Sequence, residues 1–319
     1  MELPVTFDDI VRAAECIASH VHHTPLVRSR TLGFAMKAEN LQKGGAFKLR
    51  GALNRLSALD AAARARGVVT YSSGNHAQGV AIAGALLAVP TVVVMPEDSA
   101  PHKVAATRGY GAEVVQEGVT VQTRQAVAEA IAAERGATPV APFDDAYIIA
   151  GQGTVGLELM RQADDIDTVV APLGGGGLLA GVALAVKTLN PRVKVYGVEP
   201  ATGNDGQRSL REGRRIALEA PPTTIADGAR TLCVGERNFA IMQKYVDDVF
   251  TVDDDALLDA IWLLASRVKT VVEPTGALGA AAVLQGLVPG GPRTAVVLSG
   301  GNIGAEVLAG AASRAATRR

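Results

Sequence analysis

The sequence predicts an α/β protein with two open, parallel-type sheets covered by helices, organised as two units. Three observations lead there. Short β-rich apolar runs alternate with Ala-rich segments of helical length, a rhythm that calls for parallel strands joined by helices. Hydrophobic residues make up 48% and charged residues 20%, while aromatics are only 4% against 35 Gly, so the core is built from Ala, Val and Leu at close backbone approach. The 319 residues suffice for about two domains at roughly 150 residues each.

The first series of elements runs VVTYSS then AQGVAIAGALLA, TVVVMP then HKVAATRGYGA, and EVV then TRQAVAEAIAAERG. The second runs TVVAPL before GGGGLLAGVALAVKTL, then VKVYGVEP, a polar stretch to Asp227, DALLDAIWLLASRVKT as a helix, and TAVVLSGGN as a last strand. The longest uncharged stretch, Ala77 to Pro96, contains Gln78, Gly79, Gly84 and Pro90, and reads as a helix, a turn and a buried strand rather than a membrane span. No fixed-period repeat or low-complexity linker marks the boundary between units. The segment Ala141 to Asp145 is a candidate turn.

Composition also excludes partners. With 31 Lys+Arg against 32 Asp+Glu the formal charge is −1, and no basic stripe or tail offers a surface to nucleic acid or to a membrane. Cys16 and Cys233 share no metal or disulfide spacing, which fits a reducing cytoplasm, and the acidic start MELPVTFDDI lacks the pattern of a signal peptide.

Three turns carry chemistry, each after an apolar run, where an open parallel sheet gathers ligand groups. In QKGGAFKLRGAL, Gly44 and Gly45 precede Phe47 and Lys48 at a helix start. The helix dipole there disfavours a cation and lowers the amine pKa, as a Schiff-base lysine requires; the competing reading is a solvated lysine. In SSGNHAQG, Ser72, Ser73, Asn75 and His76 face a helix start and suit a carboxylate, with a plain Ser or Asn helix cap as the alternative. In PLGGGGLLAG, Gly174, Gly175, Gly176 and Gly177 offer consecutive N–H groups to a phosphate. Gly175, Gly177 and Ala180 also satisfy G-x-G-x-x-A with Glu199 closing the next strand, the pattern of a nicotinamide-dependent Rossmann dehydrogenase. That reading leaves the Lys48 and Asn75 turns unused. A lysine, a phosphate cradle and a carboxylate turn together point to pyridoxal 5'-phosphate.

The ordered motifs KAENLQKGGAFKLRGA, SSGNHAQG, IAGQGT, PLGGGGLLAG, VEP, IADGA, EPTGALG and LSGGN resemble those of the serine and threonine dehydratase and serine racemase family, fold-type II pyridoxal phosphate enzymes with the tryptophan synthase beta-like fold. The likeness spans nearly the whole chain. It implies Lys48 as the cofactor-bearing lysine, Phe47 against the ring, Asn75 at the ring hydroxyl, Gly174 to Gly177 at the phosphate and Ser299 at the pyridine nitrogen. It further implies a large cofactor-binding domain of residues 1–66 and 145–319, a small mobile domain of residues 67–144, a small-molecule amino-acid substrate and a homodimer. Gly44 departs from the family's common Q-x-T-G. The family's C-terminal regulatory domain is not expected.

The expected reaction is dehydration of L-serine, L-threonine or threo-3-hydroxyaspartate to an oxo acid and ammonia. Glu273 in VEPTG resembles a cofactor-proximal acid of the family, against a strand-end salt-bridge partner, and Asp227 in IADG resembles another, against a turn former. Arg124 matches a position that approaches a distal substrate carboxylate, against an ordinary surface arginine. Ser73 stands where the racemases carry a second proton-transfer group, which implies racemisation beside elimination. Glu199 and Asp205, six residues apart with Gly203 between, supply two carboxylates and a carbonyl suited to Mg²⁺ or Ca²⁺, and resemble the family's cation site; the alternative is a solvated acidic loop. Trp262 and Met242 read as core, and Cys233 has no neighbours that would activate a thiolate. A non-catalytic amino-acid-binding module on the same fold is the competing functional class.

Overall fold

The computed structural model describes residues 3–317, and the predicted alternation folds into two sheets of unequal size. Helix α1 (Phe7–Ile17) precedes the hairpin of β1 (Leu26–Ser29) and β2 (Phe34–Lys37). Helices α2 (Lys48–Ser57) and α3 (Ala61–Arg66) lead to β3 (Val68–Tyr71), α4 (Asn75–Leu87), β4 (Thr91–Val94), α5 (Pro101–Gly109), β5 (Glu113–Val115), α6 (Arg124–Arg135) and β6 (Thr138–Pro139). Next come α7 (Ala146–Gln162), β7 (Thr168–Pro172), α8 (Gly177–Leu189), β8 (Lys194–Pro200) and α9 (Asp205–Glu212). The chain finishes with α10 (Glu236–Tyr245), β9 (Asp248–Val252), α11 (Asp254–Leu263), α12 (Pro274–Leu284), β10 (Thr294–Val297) and α13 (Ala305–Thr317).

The larger sheet has the order β1-β2-β10-β7-β8-β9, parallel throughout except for the β1–β2 edge pair. The smaller, β5-β4-β3-β6, is wholly parallel and comes from one continuous stretch of chain. Both sheets have Val-rich strands buried on two faces, which is why the strands read as unbroken apolar runs. Small residues let the covering helices approach closely. A Cβ on Gly181 of α8 would stand 2.6 Å from the Gly153 nitrogen of α7, and one on Gly151 would stand 2.6 Å from the Gly51 Cα of α2. These contacts seat α2, and with it Lys48, against the larger half.

The uncharged stretch from Ala77 to Pro96 is α4, a left-handed turn at Ala88 and β4, and among the described residues no helix is long and apolar enough to cross a membrane. One expectation needs correction. The helix expected over DALLDAIWLLASRVKT is regular only to Leu263; its last turn, Leu264–Val268, widens to a π-helix and stops at Lys269 with φ 65°.

Candidate active site

Gly44 and Gly45 have φ of 73° and 72°, so the loop before α2 turns twice through a conformation only glycine takes without strain. Phe47 leaves this turn with its N–H donating to the Ser299 carbonyl at 3.1 Å, which ties the start of α2 to the end of β10. Lys48 is half-buried, its Nζ 5.2 Å from the Phe47 ring and donating to the Pro142 carbonyl at 2.7 Å. No carboxylate compensates it, and burial draws its amine down to about 8. Desolvation lowers it, and Lys48 stands at the first position of α2, as the sequence predicts.

The turn after β3 is not capped by serine or asparagine. Gly74 stands at the cap of α4 without a side-chain bond, and Ser72 Oγ accepts from the Gly74 N–H at 3.2 Å. The Ser73 hydroxyl has no hydrogen-bond partner among the described residues, and the helix start after it carries no side-chain cap. Asn75 Nδ2 donates to Glu273 Oε1 at 2.5 Å, and its Oδ1 accepts from Asn302 Nδ2 at 2.9 Å.

Glu273 is buried and is the cap residue of α12, with Pro274 next, not a strand end. Burial first, then the nearby Asp227 charge, pushes its carboxyl up to about 8. His76 is buried with Nε2 3.0 Å from Thr70 Oγ1, and burial with the Lys48 charge draws it down to about 3. Thr70 spends its own proton on the Val140 carbonyl at 2.8 Å, so Nε2 carries the hydrogen of a neutral ring. His76, expected among the substrate contacts, braces the turn from beneath.

Gly174 to Gly177 link β7 to α8, with Gly176 at φ 95°. Their N–H groups donate to no described residue, whereas the Gly175 carbonyl is fixed by the Gly235 N–H at 3.0 Å and Asn238 Nδ2 at 2.6 Å. A Cβ on Gly175 would stand 2.3 Å from the Phe143 ring, so only glycine fits. Unused donors at a helix N-terminus, anchored through their carbonyls, fit a phosphate. Ser299 is buried, and its hydroxyl has no described partner.

Direct contacts link these residues in pairs: Phe47 to Ser299, Asn75 to Glu273, Glu273 to Gly300 next to Ser299, and, through the neighbours Pro142 and Phe143, Lys48 to the glycine loop. Arg124 begins α6 half-buried, with its guanidinium 6.0 Å from the ring of Tyr71, which precedes Ser72, and makes no ion pair among the described residues.

Glu199, on β8, and Asp205, at the start of α9, are both buried rather than solvated. Glu199 accepts from the Gly206 N–H at 3.2 Å and the Gln207 N–H at 2.7 Å, so both carboxylate oxygens are engaged by the first turn of α9. Asp205 Oδ2 is buried without a partner, and burial lifts Asp205 to about 6 and Glu199 well above the usual carboxylate range. Two desolvated acids with an orphaned oxygen fit a hard divalent cation.

Sequence reasoning missed Pro142, Phe143 and Asn302 as site residues, and missed Lys103, whose amine pairs with Asp227. Met242 is buried and Trp262 packs against the core; Cys16 is exposed and Cys233 half-exposed, both free.

Residues 17–300 match the family model described as pyridoxal-phosphate dependent enzyme. The chain is 45% identical to an L-threo-3-hydroxyaspartate ammonia-lyase of Saccharomyces cerevisiae over 305 residues, 93% of each chain. It is 43% identical to a serine racemase of Schizosaccharomyces pombe over 308 residues, 94% of this chain and 95% of the relative. Among solved structures it is similar to a threonine deaminase of T.th., with 51% identity, a TM-score of 0.89 and coverage of 93% of this chain and 98% of that one. It is also similar to maize serine racemase, with 36% identity, a TM-score of 0.92 and coverage of 98% of each chain.

Proposed function

The chain belongs to the pyridoxal-phosphate dependent enzyme family, and on that premise we propose that it is an ammonia-lyase of β-hydroxy amino acids. It converts L-serine, L-threonine or threo-3-hydroxyaspartate to an oxo acid and ammonia, with serine racemase activity beside it. One observation carries the reading: a half-buried, uncompensated Lys48 amine drawn down to about 8, gathered with a glycine loop of unused N–H donors and a serine-lined helix start.

When bound, pyridoxal 5'-phosphate supplies a carbonyl that condenses with an amine and a ring that accepts electron density from the α-carbon. Lys48 would anchor it, Gly174 to Gly177 would hold the phosphate, Phe47 would pack on the ring, and Asn75, hydrogen-bonded to Glu273, would meet the ring hydroxyl. Ser299, a buried neutral hydroxyl, would meet the ring nitrogen, and a neutral partner there would favour β-elimination over transamination. The α4 N-terminus with Ser72, Ser73 and Asn75 binds the substrate carboxylate. Lys48 Nζ removes the α-proton, and Ser73 stands ready to return one from the other face.

Arg124, without an ion partner, receives a second carboxylate, which makes threo-3-hydroxyaspartate a natural substrate. Glu199, Asp205 and the Gly203 carbonyl hold Mg²⁺ or Ca²⁺. The resemblance supports a homodimer in which residues 67–144 move as a small domain against residues 1–66 and 145–319, and the two free thiols suit the cytoplasm.

A panel of L- and D-serine, L-threonine and L-threo-3-hydroxyaspartate, assayed for oxo acid, ammonia and inverted enantiomer, tests the reading. Oxo acid with ammonia from at least one member is expected. A protein that stays colourless after pyridoxal phosphate addition and yields neither from any of them favours the amino-acid-binding class instead.

A further inference from the structure

Lys103 lies in the first turn of α5, a helix with no acidic residue there. A cation at that place opposes the helix dipole, so local electrostatics do not explain it. The compensation comes from far along the chain: Lys103 Nζ pairs with Asp227, 124 residues away, in the short 3-10 turn Asp227–Ala229. Among the described residues this is the ion pair that ties a helix of the four-stranded sheet to the six-stranded half.

The two ends differ in firmness. The Asp227 turn is fastened into the larger half, with the Gly228 N–H donating to Thr275 Oγ1 at 3.0 Å and the Ile225 N–H to Asp254 Oδ2 at 3.0 Å. It also touches the phosphate cradle, since a Cβ on Gly174 would stand 2.8 Å from the Gly228 carbonyl. On the other side Val104, next to Lys103, shares a buried cluster with Ala77 and Ala81 of α4, the helix that begins with Asn75. Force at Lys103 therefore reaches the Ser73–Asn75 turn through packed side chains.

We propose that Lys103 and Asp227 form a clasp that holds the smaller half against the larger at the mouth of the site, making Lys103 a positioning residue for the α4 turn. The kinetic arm of its test rests on the ammonia-lyase reading; the structural arm does not. Hydrogen exchange of residues 101–109 in the holoprotein is measured for wild type, Lys103→Met, Asp227→Asn, the double variant and Lys103→Arg. KM and kcat are measured on the best substrate.

Each single variant is expected to speed exchange by about two- to fivefold, the factor of a partly exposed ion pair, and to raise KM more than it lowers kcat. The double variant equals either single one, and Lys103→Arg keeps the wild-type values. Unchanged exchange in both single variants, additive effects in the double, or Lys103→Arg behaving like Lys103→Met overturns the clasp. A wild type that forms no oxo acid removes the lyase reading, while the exchange result still decides the clasp.

Discussion

Two clusters of buried polar groups stand close together in this chain, one complete and one left open. In the first, Arg50 is fully enclosed and spends its guanidinium on Glu39 at 2.8 and 2.9 Å, on Glu158 at 2.6 and 3.0 Å, and on Thr154 at 3.2 Å. Lys37, also fully enclosed, donates to Glu158 at 2.7 Å, to the Thr24 carbonyl at 2.7 Å and to Gln162 at 3.0 Å. In the second, Lys48 has one carbonyl acceptor, and the Ser73 and Ser299 hydroxyls and the glycine-loop N–H groups have no described partner at all. Burial pulls both lysines down, but carboxylates resist the fall only at Lys37. Complete partnering makes a cation structural, and incomplete partnering in a cleft makes it reactive.

The largest effect expected from this contrast is in the open cluster. Lys48→Ala should lower turnover by about 10³-fold or more, with the melting temperature close to wild type. Steady-state kinetics and thermal unfolding check both halves of the statement. Arg50→Met, in the closed cluster, should do the reverse. It leaves the enclosed Glu39 without its counter-charge and the partly exposed Glu158 with Lys37 alone, and should cost about 3–5 kcal/mol in urea unfolding. If Arg50→Met is as stable as wild type, the closed cluster is not structural in the sense argued.

Ser73→Ala should cut racemisation by about 10²-fold while L-substrate dehydration persists, as chiral chromatography of products would show. Parallel loss of both reactions would reduce Ser73 to a carboxylate contact. A smaller effect concerns pH. Below about 8 the Lys48 amine is protonated and cannot attack a carbonyl, so cofactor uptake by the apoprotein should rise about tenfold per pH unit up to that point and then level off. Absorbance-monitored uptake that ignores pH would place the controlling group elsewhere. The smallest effect is at Glu199 and Asp205, where chelation should lower the melting temperature by about 2–4 °C, reversibly on adding Mg²⁺ or Ca²⁺. Unchanged melting, with no metal by elemental analysis, would leave the orphaned Asp205 oxygen without a cation.

The open cluster was readable where its chemistry lies in contiguous residues. The Gly174 to Gly177 run, the Gly-Gly-x-Phe-Lys turn and Ser-Ser-Gly-Asn each announce a loop and its donors within a few positions. Pro142 was not readable, because it acts through a backbone carbonyl 94 residues from Lys48 that any residue supplies. Lys103 was hidden for the same reason, as an ordinary lysine made specific by a distant aspartate. Glu273 is legible as an acid of the site, and Pro274 after it marks the helix start that rules out its strand-end alternative. The β1–β2 hairpin escaped as well, its strands being four residues each without a regular alternation of burial.

The measurement that bears most directly on the contrast between the two clusters is borohydride reduction of the holoprotein followed by peptide mapping. The account predicts a pyridoxyl group on Lys48 and none on Lys37, eleven residues earlier and closed in by carboxylates. Label on any lysine other than Lys48, or a yellow protein that takes no covalent label, would contradict it.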